Sequence, residues 1–371
     1  MGRGGVFVME FIDLGAQRER LGARIDDVIA EVLDHGRFIM GPEVALFEAE
    51  LAAYTGARHV VSCGNGTDAI VLALRAQGVG YGDHVVVPSF TFAATAEAVA
   101  LVGGVPVFAD VREDTFNLDP DRAAEAAEAT GAVGVIGVDL FGLPADYDEL
   151  RQAVPGRFVV ADAAQSIGGK AGDGYVGTLA SVTTTSFFPA KPLGCYGDGG
   201  AVLTDDEEVA GAIRSLRAHG KGTHKYDNER IGTNSRLDTL QAAILRCKLE
   251  VLEDEMQRRR AVAGRYRAGL SDVVGTQQVA AGSRSAWAQY TIVSDRRDAI
   301  ATALRDAEIP SVVYYPRPLH RQTAYRVFPI GPGGCPVSER LSEAVLSLPM
   351  HPYLEAADQD RVIAAVREAV R

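Results

Sequence analysis

Lys191 stands in Thr183-Thr-Thr-Ser-Phe-Phe-Pro-Ala-Lys-Pro-Leu-Gly-Cys-Tyr-Gly-Asp-Gly-Gly200, directly after an apolar run and just before a glycine-rich turn. An amine there is held by backbone on both sides and partly desolvated. Desolvation lowers an amine's pKa and frees it as a nucleophile, which suits a Schiff-base lysine. The plainer alternative is a surface lysine in a loop; Phe187, Phe188, Pro189 and Pro192 around it make that less attractive. Ser186, five residues earlier, can reach a phosphate.

Asp162 closes the apolar run of Phe158-Val-Val-Ala-Asp-Ala-Ala-Gln-Ser166. A carboxylate at the end of a buried strand is costly without a partner. A pyridinium nitrogen is such a partner, because the charge pair keeps the ring protonated and electron-withdrawing. An aspartate that merely caps the following turn is the ordinary alternative. Ser62-Cys-Gly-Asn-Gly-Thr-Asp68 leads from a strand-like run into the helical Ala69–Arg75. Glycines at such a turn let backbone N–H groups approach an anion, and the helix N-terminus favours phosphate. Gly66 and Thr67 are the candidate donors, although an ordinary capped glycine turn fits as well. Taken together, a phosphate cradle, a ring-nitrogen partner and an amine nucleophile are the parts of a pyridoxal-phosphate site.

These residues need a scaffold of strands. Continuous apolar runs at His59–Ser62, His84–Pro88, Val105–Ala109, Ala132–Leu140, Phe158–Asp162, Val182–Phe188 and Ala201–Thr204 alternate with helical stretches. That pattern predicts an α/β fold around a mostly parallel sheet buried on both faces. Leu237, Leu240, Ile244, Leu245, Leu249 and Leu252 predict one long helix from Asn234 to about Leu270, capped by Asn234 or Ser235. Beyond it, Trp287–Val293 reads as a strand, Arg297–Ala307 as a helix and Ser311–Tyr315 as another strand. The expected division is an N-terminal arm and helix (1–35), a large domain (36–245) and a smaller C-terminal α/β domain (246–371).

The 371 residues carry a formal net charge of −12, which disfavours nucleic acid and anionic membranes as partners. No apolar run approaches the ~20 residues of a membrane helix. The opening Met1–Met9 stretch is too short and too soon followed by charge for a signal peptide. Cys63, Cys195, Cys247 and Cys335 are scattered without metal-ligand spacing, as in a reduced, cytoplasmic protein, and no metal site is expected.

The chain resembles the DegT/DnrJ/EryC1/StrS sugar aminotransferases, of pyridoxal-phosphate fold type I, nearly end to end. The resemblance rests on Phe-Ile-Asp-Leu-Gly-Ala-Gln17, Gly36-Arg-Phe-Ile-Met-Gly-Pro42, Gly64-Asn-Gly-Thr-Asp68, Asp162-Ala-Ala-Gln-Ser166, Ser186-Phe-Phe-Pro-Ala-Lys191, Gly197-Asp-Gly-Gly200, Asn234-Ser-Arg-Leu-Asp238 and Ser347-Leu-Pro-Met-His-Pro352. It implies a large domain with a mostly parallel seven-stranded sheet and a smaller C-terminal α/β domain. It also implies an enzyme that moves an amino group from glutamate to a keto sugar on a nucleotide. The branch it most resembles acts at C3, on a UDP-hexuronate or a dTDP-6-deoxyhexose; C4 chemistry of the same family is the alternative.

By the same resemblance Lys191 is the cofactor lysine and proton shuttle, and Asp162 the pyridinium partner. Gln165 lies near the ring hydroxyl, Gly66, Thr67 and Ser186 form the phosphate cup, and Phe92 stacks on the ring. Asn234 reaches the phosphate of a second subunit, implying a homodimer with shared sites, and Arg236 contacts substrate. Tyr314-Tyr315-Pro316 stands where the family's pattern is His-Tyr-Pro, so Tyr314 departs from it. If that His contacts the sugar, a uronic carboxylate is in doubt and a 6-deoxy sugar gains ground, whereas a Tyr that donates a hydrogen bond to the same group would leave the sugar open. Sugar dehydratases of the same fold carry His where Lys191 stands. A noncatalytic pyridoxal-phosphate-binding regulator is the reading from outside enzymology. His219, His224, His320 and His351 carry no assignment, and the 219–227 loop is either solvated or a diphosphate clamp.

Overall fold

Val85, Val86 and Val87 are all fully buried, and so are Val107, Val135, Ile136 and Val160. Unbroken apolar runs of this kind fit only strands covered on both faces, and the computed structural model places them so. It describes residues 9–224 and 226–371. The reading of the opening segment as no signal peptide falls on residues 1–8 and lies outside the described residues, as does Lys225 of the 219–227 loop.

In chain order the elements are α1 (Leu14–Leu21), α2 (Ala23–His35), α3 (Pro42–Thr55), β1 (His59–Cys63), α4 (Gly66–Ala76), β2 (His84–Pro88), α5 (Ala94–Leu101), β3 (Val105–Ala109), α6 (Pro120–Thr130) and β4 (Gly134–Val138). There follow α7 (Tyr147–Ala153), β5 (Phe158–Asp162), a small hairpin of β6 (Lys170–Ala171) and β7 (Gly174–Tyr175), β8 (Val182–Ser186), β9 (Gly200–Thr204) and α8 (Glu207–Leu216). The chain ends with α9 (Thr239–Leu270), β10 (Gly275–Thr276), β11 (Tyr290–Val293), α10 (Arg297–Asp306), α11 (Pro336–Ala344), β12 (Val345–Leu348) and α12 (Ala356–Ala369).

Among the described residues the seven expected runs form one seven-stranded sheet in the order β1-β9-β8-β5-β4-β2-β3. Only β9 runs against its neighbours; β2, β3, β4, β5 and β8 pair in parallel. Parallel strands send their C-terminal ends to one edge, where open α/β sheets bind ligands. Here that edge carries Ser89, Asp110, Asp139, Asp162 and Ser186, each the last residue of a strand or the first after it. A second sheet, β10-β11-β12, is antiparallel and packs with α10, α12 and the end of α9 around Tyr266, Tyr290, Ile300 and Val362. The residue 245/246 division falls inside the continuous α9. After it, Leu319, Tyr325, Phe328 and Cys335 return to pack on the large sheet's core.

Three local expectations are corrected. The long helix starts at Thr239 with Asp238 at its cap position, so Asn234 and Ser235 do not cap it. Instead Ala218 and Asn234 form an isolated bridge, and that extended stretch ties to distant loops. The strand expected from Trp287 begins at Tyr290, because Trp287 has φ +48, a left-handed backbone that cannot continue a strand. Ser311–Tyr315 makes only a single bridge, Val312 to Ser347. Pro310, Pro316 and Pro318 on either side lack the N–H donors that a ladder needs.

Candidate active site

The turn Gly64-Asn-Gly66 is shaped by close approaches that only glycine permits. A Cβ on Gly66 would lie 2.6 Å from the Cβ of Ser186, and one on Gly200 would lie 2.4 Å from the carbonyl oxygen of Asn65. The end of β8, the start of β9 and the head of α4 are therefore in direct contact. Asn65 Oδ1 accepts the Asp68 N–H at 2.8 Å, capping α4. Gly66 and Thr67 lie in the first turn of α4, where backbone N–H groups have no intrahelical acceptor. The half-buried Ser186 hydroxyl lies beside Gly66, so a hydroxyl and the free N–H groups of a helix start are neighbours, donor types that suit a phosphate dianion. Ser235, far along the chain, braces this turn. Its hydroxyl donates to Asp68 Oδ2 at 2.6 Å and accepts the Gly64 N–H at 3.0 Å.

Asp162 ends β5 and is buried. Oδ2 accepts the Thr95 hydroxyl at 2.8 Å and Oδ1 the Ala164 N–H at 3.2 Å. Burial pushes its carboxyl above the usual range, outweighing these two bonds and the attraction of Lys191. Two neutral donors leave the charge uncompensated, so a cationic ring N–H is the partner that completes the set. Lys191 is half-buried, with its own N–H on the Phe188 carbonyl at 2.8 Å. Burial holds its ammonium below the usual lysine value, although Asp162 pulls the other way. The amine is thereby closer to the neutral, nucleophilic form.

The remaining candidates surround this pair. Phe92 is 57% exposed, unusual for a phenylalanine, and its ring lies 6.3 Å from that of Tyr315. Tyr315 also meets Phe90 (6.1 Å) and Tyr314 (5.7 Å), and Tyr314 meets Phe11 (6.2 Å), so Phe92 borders an aromatic cluster. Burial pushes the Tyr314 and Tyr315 hydroxyls up, keeping both neutral. Gln165 is buried, and its Oε1 accepts the Phe141 N–H at 2.6 Å; this fixes the amide so that its NH2 faces elsewhere. Arg236 is half-buried beside Ser235, and Asn234 is exposed. Among the described residues, no three His, Cys, Asp or Glu side chains gather as a metal site, and no helix is long and apolar enough to cross a membrane.

Four residues at or behind the site escaped the sequence reading. Thr95 gave no local signal and Ser235 only that of a helix cap, since their partners are 67 and 167 positions away. Asp139 repeats the pattern that singled out Asp162, an aspartate after an apolar run, and could have been found that way. His320 proves to be buried and bonded on both ring nitrogens.

A buried carboxylate short of donors, a desolvated lysine, an exposed phenylalanine and the glycine-shaped head of α4 gather at the C-terminal edge of such a sheet, and the fold is that of the type I pyridoxal-phosphate aminotransferases. Residues 19–367 match the model of the DegT/DnrJ/EryC1/StrS aminotransferase family, and the chain belongs to that family. It is 44% identical over 363 residues to the UDP-2-acetamido-2-deoxy-3-oxo-D-glucuronate aminotransferase of Pseudomonas aeruginosa, covering 97% of this chain and 99% of that one. It is 42% identical to the dTDP-3-amino-3,4,6-trideoxy-alpha-D-glucose transaminase of Streptomyces venezuelae, over 96% and 95% of the two chains. Its fold matches the crystal structure of a DegT/DnrJ/EryC1/StrS aminotransferase from Brucella abortus with a TM-score of 0.96, at 52% identity over 98% and 99% of the chains.

Proposed function

We propose that this enzyme transfers an amino group from glutamate to the C3 keto carbon of a nucleotide-linked hexose, using pyridoxal phosphate. The observation that carries this reading is the pairing of the buried, charge-deficient Asp162 with the desolvated Lys191. Bound pyridoxal phosphate supplies an aldehyde carbon that exchanges amines and a ring that withdraws electrons from the bonds around it. Asp162 holds the proton on the ring nitrogen. Thr95 keeps the carboxylate aimed, and Gln165 offers its NH2 near the ring hydroxyl. The first-turn N–H groups of Gly66 and Thr67 and the Ser186 hydroxyl bind the phosphate. Phe92 stacks on the ring. Lys191 Nζ takes the proton from the donor's α carbon and, in the second half of the cycle, returns one to the sugar carbon. Arg236, Tyr314 and Tyr315 bind the sugar nucleotide.

C3 is preferred to C4 because both named curated relatives carry C3 chemistry in their names. We further assign the 36–245 and 246–371 portions as large and small domains, with the enzyme working in the cytoplasm as a homodimer. Exposed Leu33, Phe38, Ile39, Met40 and Leu46 support a second copy against α2 and α3, and exposed Asn234 is available to reach that copy's phosphate cup. The four thiols are free and buried, which agrees with a reducing compartment.

The test is an absorbance spectrum of the purified protein before and after glutamate, on wild type and Lys191→Ala. The wild type should show the visible band of lysine-bound cofactor and convert it to the pyridoxamine form. The variant should do neither. A wild type that binds pyridoxal phosphate yet ignores every amino donor would return the noncatalytic regulator as the better reading.

A further inference from the structure

Ser89, His320 and Glu339 form a hydrogen-bonded chain that the reaction does not use, buried at Ser89 and His320 and reaching half-exposed Glu339. Ser89 Oγ lies 2.6 Å from His320 Nδ1, and His320 Nε2 lies 2.9 Å from Glu339 Oε1. Arg321 also pairs with Glu339, at 2.7 Å. The residue types are those of a hydrolytic triad, but Ser89 is fully buried and His320 is 4% exposed, so no substrate reaches the hydroxyl. The chain must do something other than attack.

Its position says what. Ser89 is the first residue after β2 and opens the turn that carries Phe92. That turn is pinned at both ends. At its start, Ser89 is bound twice to the 318–320 turn, through its hydroxyl to His320 and through its carbonyl to the Leu319 N–H at 2.8 Å. At its far end, Thr95 donates to Asp162. Phe92 lies between the two pins. Tyr315, whose ring meets that of Phe92, precedes His320 by five residues, and Pro316 and Pro318 stiffen that short link. Phe90, next to Ser89, also packs edge-on against Tyr315. One histidine thus ties the base of the Phe92 turn to the base of the Tyr315 segment.

We infer that His320 is a positioning residue that sets where the Phe92 ring stands against Tyr315, and through Phe92 the affinity and orientation of the bound cofactor ring. This rests on the proposed function only in taking the exposed Phe92 ring as part of the pyridoxal-phosphate site. Glu339 fixes the imidazole by accepting from Nε2, so that Nδ1 faces Ser89. A ring that is held by two partners cannot rotate, and the Ser89 carbonyl and hydroxyl are both fixed with it.

The test measures the pyridoxal-phosphate dissociation constant, and the visible circular dichroism per mole of bound cofactor, on wild type, His320→Ala, His320→Asn, Phe92→Ala and the His320→Ala/Phe92→Ala double variant. His320→Ala should weaken binding roughly tenfold, the loss expected for a buried hydrogen-bonded partner, and reduce the dichroic signal. His320→Asn keeps an acceptor where Nδ1 was and should recover most of both. In the Phe92→Ala background, removing His320 should change the dissociation constant less than about twofold, because the effect of His320 runs through the Phe92 ring. A role confined to stability would lower the melting temperature and leave the dichroism per bound cofactor untouched. Unchanged binding and dichroism in folded His320→Ala or Ser89→Ala protein, or a full tenfold loss in the Phe92→Ala background, would overturn the inference alone. A wild type that binds no pyridoxal phosphate would overturn the functional reading with it.

Discussion

Two aspartates end adjacent parallel strands, and their surroundings separate a working carboxylate from a structural one. Asp162 closes β5, and Asp139 follows β4, with its N–H on the Asp162 carbonyl at 3.1 Å. Both are buried, and burial pushes both carboxyls up, that of Asp139 to about 7. Asp139 accepts the hydroxyls of Ser166 (2.6 Å) and Tyr147 and the Ala145 N–H (2.9 Å). Those bonds hold the turn carrying Gln165 and the loop leading to α7. Asp162 accepts only Thr95 and Ala164 within the chain. A buried acid that is filled by protein donors is a brace, and one that is left short of donors is waiting for a ligand.

Exchanging each acid for its amide would sharpen this contrast. Asp162→Asn removes the charge that holds the ring-nitrogen proton and should cut kcat/KM on the order of 100-fold or more. The far-ultraviolet dichroism should stay unchanged; an activity loss accompanied by unfolding would break the distinction. Thr95→Val leaves Asp162 ionisable but with one donor fewer, and a loss of about tenfold in cofactor affinity is expected by direct titration. Asp139→Asn should cost less than about tenfold in activity, since the hydroxyl of Ser166 can turn to accept from the new amide.

The Asp139 exchange should show itself in the pH dependence of stability. The folded acid holds its proton up to about pH 7, whereas the unfolded acid loses it near pH 4. The stability this contributes is therefore fully present below about pH 4 and lost as pH rises through about 7. In urea melts of the cofactor-free protein, wild type should weaken across that window relative to Asp139→Asn. Parallel melts at every pH would mean that Asp139 carries its charge at no cost, and the comparison would fail on its structural side.

How much of this was legible in the sequence follows from the distance between partners. The β strands and the Lys191 loop are written locally, as unbroken apolar runs and glycines. A continuous run of Val and Ala ending in Asp162 is enough to place both strand and acid. The C-terminal aromatic wall is not written that way. Ser311–Tyr315 has the apolar composition of a strand, yet its flanking prolines and its packing on Phe90 and Phe92 make it an irregular segment. Ser235 looked like a helix cap because it precedes a periodic stretch, but its hydroxyl is taken by Asp68 and Gly64, which sequence spacing does not bring near. The left-handed backbone of Trp287 is equally silent, because that conformation is set by the fold around it.

The 32-residue α9 has a mechanical consequence. At 1.5 Å per residue it is roughly 48 Å long. Near its start, Gln241 accepts the Tyr196 N–H of the Lys191 loop at 2.9 Å; near its end, Tyr266 is buried against Tyr290 of the second sheet. The helix is a single axle with the reactive lysine's loop mounted at one end and the C-terminal layer at the other. A movement of that layer that carried the end of α9 with it would pass along one continuous helix to the loop that holds Tyr196.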